Sequence, residues 1–111
     1  MTYNDLKETL NKYNWDDGFE VPEKILKNQN CDLALALEIF FLADGFAYLD
    51  NMEKEKQTGS EEWRQFIDNL YNDILNGKYP KTGNCFKNPL TKVARYKFGK
   101  KSVPEIFLLD L

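Results

Sequence analysis

Asp16, Asp17 and Glu20 bring three carboxylates together within five residues, and Glu23 follows close behind. Carboxylates at that density can move protons in a hydrolysis, hold a divalent cation, or meet a basic partner. The first two uses need further ligands or a polar partner converging from elsewhere in the chain. Asp16-Asp17-Gly18 lacks the regular alternation of a calcium loop. The cluster also has a plain structural use. Asp side chains accept from backbone N–H groups in turns, and acids around Pro22 suit the positive end of a helix. Trp15 precedes the cluster directly. It is either a core anchor or a partly exposed contact residue of the kind that dominates interfaces.

The remaining inventory is sparse. The chain contains no histidine, which removes the commonest general base and transition-metal ligand. Cys31 and Cys85 are its only cysteines, and they are not spaced as a redox or zinc motif. They are expected to be free thiols in a reducing compartment. There is no glycine-rich phosphate loop and no Ser or Cys nucleophile placed with a base. No catalytic residue, metal site or cofactor is therefore expected, and the chain does not read as an enzyme.

Charge is unevenly placed. The net value is −3, yet residues 1–50 hold ten acids and four bases. Residues 76–103 hold eight bases, from Lys78 to Lys101, and no acid. Such halves can steer partners, or attract each other across the fold. Tyr79, Phe86, Tyr96 and Phe98 are interleaved with the bases. That is the pattern of a single-strand nucleic-acid surface, set here in a chain of pI near 5.0.

The elements that must position these residues read as helices. Hydrophobic content is 42%, enough for a core, and 111 residues suit one domain spanning 1–111. Leu6, Leu10 and Tyr13 share a face of a first helix over about 4–13, capped by Thr2 or Asn4. Asp-Gly breaks the chain, and Pro22 can open a second helix over 22–28. Leu33–Ala43 is apolar on every face except at Glu38, so a helix over about 32–44, capped by Asp32, belongs at the centre. Glu38 then lies on a wet strip, or meets a base such as Lys92 or Arg95. Helix can resume after Gly45 towards Met52. A charged link over 53–59 follows.

From Ser60 the clearest amphipathic pattern runs over about 61–76, through Trp63, Phe66, Ile67, Leu70, Tyr71 and Ile74. There Trp63 reads as a core residue. Gly77 is its stop. Pro89 can open a short helix reaching Tyr96, and 103–111 should dock on the core, helical or extended from Pro104. No segment alternates in the manner of a strand. The expected fold is an all-α, compact single-domain bundle. No stretch reaches the roughly 20 apolar residues of a membrane span, and the start of the chain shows no secretory pattern. A cytoplasmic location follows as the default.

Two motifs carry a resemblance: Trp15-Asp16-Asp17-Gly18-Phe19-Glu20-Val21-Pro22, and Cys31-Asp32-Leu33 running to Ala43-Asp44-Gly45. In these the chain resembles a small bacterial family catalogued as a domain of unknown function. The likeness covers roughly residues 12–50 and more weakly 60–98, notably Pro89-Leu90-Thr91-Lys92-Val93. Small acidic proteins of this kind look like the immunity partners of polymorphic or contact-dependent toxins. The resemblance implies no catalytic residues.

It does imply a protein that is monomeric when free and neutralises a cognate toxin domain by occluding its active site. A nuclease with a basic cleft would suit such a partner. The expected contact residues are Trp15, Asp16, Asp17, Glu20 and Glu23. The alternative is a nucleic-acid-associated or regulatory binding module that uses the basic 78–101 region. A hydrolase would require Asp16 or Asp17 to meet Glu38 or Asp44 in a pocket.

Overall fold

The structure is a computed structural model describing residues 1–51 and 60–111. The expected link over 53–59, and Met52, lie outside the described residues. Among those residues there are six α-helices, two short 3-10 turns and no strand. Helix α1 spans Tyr3–Lys12, α2 Glu20–Lys27, α3 Leu33–Leu42, α4 Gly45–Asp50, α5 Glu61–Leu75 and α6 Lys92–Lys100. The 3-10 turns cover Trp15–Asp17 and Glu105–Phe107.

Capping chemistry sets most of these boundaries. Thr2 and Asp5 cap α1 reciprocally, each side chain accepting from the other's backbone N–H. Asp32, Ser60 and Thr91 accept from Leu35, Trp63 and Ala94 to open α3, α5 and α6. The Thr91 cap explains why α6 begins after Pro89 rather than at it. Helix α2 begins at Glu20, two residues earlier than Pro22 suggests. The first intrahelical donor is Glu23, bonding to the Phe19 carbonyl, so a proline anywhere in that first turn forfeits nothing.

The all-apolar segment does form the centre. Leu35, Ala36, Leu37, Ile39 and Phe40 are fully buried. Helix α5 packs along α3, α4 folds back on it, and α1 lies against α2. Phe40 sits in an aromatic cluster with Tyr48, Tyr71 and Phe107, and Tyr71 stacks on Phe107 at 4.8 Å. Glu38 occupies a half-buried strip, and Lys7 of α1 approaches it at 3.8 Å. Its cation comes from the acidic half of the chain, not from Lys92 or Arg95.

Two polar knots hold the irregular segments. One Asp32 oxygen caps α3, while the other accepts from Thr82 and Asn84 at 2.5 and 2.8 Å. The 80–84 loop is thereby tied to the central helix, and the Leu33 N–H adds a bond to the Pro80 carbonyl. The second knot centres on buried Asn88. Its amide donates to the carbonyls of Phe107 and Leu109, and its carbonyl side-chain oxygen accepts from Leu90. Arg95 bonds the backbone carbonyls of Asn88 and Leu90 and pairs with Asp110. The Asn88 N–H, then Arg95, hold the Asp110 carboxyl below the usual carboxylate range. Phe86 and Leu111 exchange a reciprocal pair of backbone hydrogen bonds. The final segment is docked, with Phe107 fully buried.

Candidate functional site

The link between α1 and α2 is built by Asn14. Its side chain accepts from the Asp16 N–H at 3.0 Å and caps the 3-10 turn. The Tyr13 hydroxyl donates to the Gly18 carbonyl, and the Tyr13 ring meets Trp15 edge-on at 5.5 Å. Gly18 takes φ +94°, a conformation that favours glycine. Asn14 therefore performs the turn-capping role that the sequence left to the aspartates. Among the described residues the carboxylates of Asp16 and Asp17 accept no hydrogen bond, and both side chains are exposed. The turn presents them outward instead of consuming them.

Phe19 follows the turn and stacks on Phe66 of α5 at 4.7 Å. That contact anchors the start of α2 against α5, and Phe19 lines two grooves. The first groove, of about 380 Å³, is lined by Asp17, Glu20, Glu23 and Glu62, together with Phe66, Gln65 and Asn69. Among the described residues four carboxylates line it and no cation does. Glu20 does pair with Lys24 at 3.3 Å, but both groups are largely in water, where such a pair is worth little.

The second groove, of about 340 Å³, is apolar. It is lined by Trp15, Phe19, Leu42, Ala43, Asp44, Ala47 and Trp63. Here the two sequence motifs meet. The Ala43-Asp44-Gly45 turn is shaped by close packing. A Cβ at Gly45 would strike the Phe40 ring and lie 2.6 Å from its carbonyl. Asp44 takes φ 68°, in the left-handed region that Asp and Asn tolerate. The Ala43 carbonyl accepts from the Trp63 indole N–H at 2.6 Å. That bond fixes the half-buried Trp63 ring beside the groove. Tyr48 meets the same ring edge-on, and its own hydroxyl donates to Asp68.

The structure thus gathers Trp15, Asp17, Glu20 and Glu23 onto one face, while Asp16 is exposed beside it without lining either groove. Glu62, Asp44 and Trp63 are additions that only the fold supplies. Glu62 stands in the first turn of α5, where an acid already suits the helix's positive end. The helical stripe that marks Trp63 as core is correct for one edge of its ring and silent about the other. Neither groove brings Asp16 or Asp17 together with Glu38 or Asp44 among the described residues. Asp44 shares a groove with Trp15, Asp17 lines the neighbouring one, and Glu38 lies with Lys7. Among the described residues no group of three or more metal-ligating side chains is placed to share an ion. No helix there is long and apolar enough to cross a membrane.

The basic segment is differently made. Tyr79, Phe86 and Phe98 are buried in the core, so of its four aromatics only Tyr96 is exposed, with Lys100 over its ring at 4.7 Å.

Residues 3–75 match the family described as a domain of unknown function, DUF4274. The chain belongs to the DUF4274 family. No curated protein and no solved structure matches it. The match reaches well beyond residues 12–50, on which the resemblance chiefly rested. Every residue lining the two grooves falls within it, whereas the basic 78–101 segment of this DUF4274 chain lies outside.

Proposed function

We propose that this DUF4274 protein is an immunity protein, which binds a cognate toxin domain and blocks that domain's active site with its acidic and aromatic face. The observation that carries the reading is the adjacency of the two grooves. Aromatic anchors Trp15, Phe19 and Trp63 lie against a rim formed by Asp17, Glu20, Glu23 and Glu62. Interfaces draw their energy from such central aromatic residues, while surrounding charge sets encounter rate and selects partners. A basic cleft, such as a nuclease uses for phosphate, is the complementary surface. The four carboxylates would occupy it in place of the substrate's phosphates.

The test is binding to the C-terminal domain of a toxin encoded beside this chain. Asp17→Lys combined with Glu23→Lys reverses two exposed charges whose side chains make no structural hydrogen bond among the described residues. The double variant should keep its helical spectrum and lose no more than about 1 kcal/mol of stability, because Glu23 stands in the first turn of α2. Its affinity should fall at least a hundredfold, since like charges brought together at an interface cost several kcal/mol. Unchanged affinity in a folded double variant would refute the surface. Absence of any such complex, with salt-dependent RNA or DNA binding in its place, would refute the function.

A further inference from the structure

The apolar groove that both tryptophans line has a specific chemistry. Trp15 and Trp63 share its lining with Phe19 and the aliphatic side chains of Leu42, Ala43 and Ala47. At about 340 Å³ it lies at the small end of ligand sites. That suits one inserted side chain, not a peptide segment. Among the described residues a single charged group, Asp44, borders it. Asp44 is exposed, caps no N–H, and makes no ion pair among the described residues. A carboxylate beside electron-rich ring faces attracts a cation, and of the two basic side chains a guanidinium stacks on indole more readily than an ammonium. A neutral apolar side chain would fill the walls but leave Asp44 without a counter-charge.

Both tryptophans are held in advance. The Ala43 carbonyl fixes Trp63, and Tyr13 supports Trp15 from its edge. Little ordering is therefore needed when the groove is filled.

We infer that this groove is a receptor for one arginine side chain of the partner protein, its guanidinium stacked between Trp15 and Trp63 and paired with Asp44. The inference rests on the reading of this face as the toxin-binding surface, and it names the group that surface takes. The acidic groove beyond Phe19 would then engage neighbouring bases, so the arginine is the anchored member of a basic patch.

The experiment exploits composition. Trp15 and Trp63 are the only tryptophans in the chain, so intrinsic fluorescence reports on this groove. The intact protein is titrated with N-acetyl-arginine amide and, separately, with N-acetyl-citrulline amide, its neutral isostere. The arginine probe should give a saturable fluorescence change with a Kd in the millimolar range. Citrulline should bind at least tenfold more weakly. Asp44→Asn should weaken that discrimination to what the rings alone supply while preserving the fold, because asparagine tolerates the left-handed backbone at this position. No saturable change with arginine, equal binding of both probes, or undiminished discrimination in Asp44→Asn would each overturn the inference. The toxin complex is scored separately. If arginine binds the groove but no toxin domain binds the protein, the proposed function fails and the receptor stands. If the toxin binds but the groove ignores arginine, the receptor fails and the function stands.

Discussion

Gly45 shows how one atom can decide the geometry of a groove. Its missing Cβ lets α4 turn back against the Phe40 carbonyl, and that turn places Asp44 and Ala47 opposite Trp15. Gly45→Ala should destabilise the protein by about 3 kcal/mol, because overpacking against a backbone carbonyl cannot be relieved by a rotamer change. Chemical denaturation would measure the loss as a lower midpoint at an unchanged slope. A loss below about 0.5 kcal/mol would mean that the turn relaxes freely, as most surface substitutions do. At this scale the sequence was partly legible. Asp32 declared itself as a cap through its position before an apolar run. Its second oxygen, bonded to Thr82 and Asn84 some fifty residues on, could not be read, since nothing local encodes a partner that distant. The same holds for Glu62, whose position in a first turn explains it fully until the fold sets Glu20 and Glu23 across from it.

Among the elements, periodicity was the reliable signal. The central helix and the 61–75 helix follow their apolar patterns closely, because burial dominates their energetics. Short elements were less legible. Pro22 and Pro89 are permitted at several first-turn positions, so neither fixed a helix start. The final segment, read only as apolar and docked, proves to depend on a specific polar knot at Asn88 and on Phe107. Phe107→Ala removes the ring that stacks on Tyr71 and tilts against Phe40, and it should cost about 4 kcal/mol. Beyond the global loss, the amides of 103–111 should exchange with solvent sooner than those of α3, because the segment loses its main buried anchor. Uniform exchange across the chain would show instead that the segment unfolds only with the core.

For the molecule as a whole, stability must respond to high pH. Burial, reinforced by Asp32, pushes the Cys31 thiol from its ordinary value of 9.0 up to about 12. Burial also raises the Tyr79 hydroxyl, and it raises that of Tyr48 with help from its bond to Asp68. Each group stays protonated when folded after its unfolded counterpart has ionised. What these groups contribute to stability is therefore complete below pH 9 and falls as pH rises towards 12, by about 1 kcal/mol per pH unit for each. Denaturation midpoints from pH 8 to 11 would record the decline. Cys31→Ala should flatten its onset between pH 9 and 10, where the tyrosines have barely begun to ionise.

The charge asymmetry visible in the sequence also resolves at this scale. Its acidic half builds a face with aromatic anchors. Its basic part is tied down by Arg95 and contributes most of its aromatics to the core. The decisive measurement is hydrogen–deuterium exchange of the protein alone and with the proposed toxin partner added. Protection is expected only over residues 15–23, 42–47 and 62–69, with 78–101 unchanged. Protection centred on 78–101, with the acidic and aromatic face exchanging as in the free protein, would contradict the proposed function.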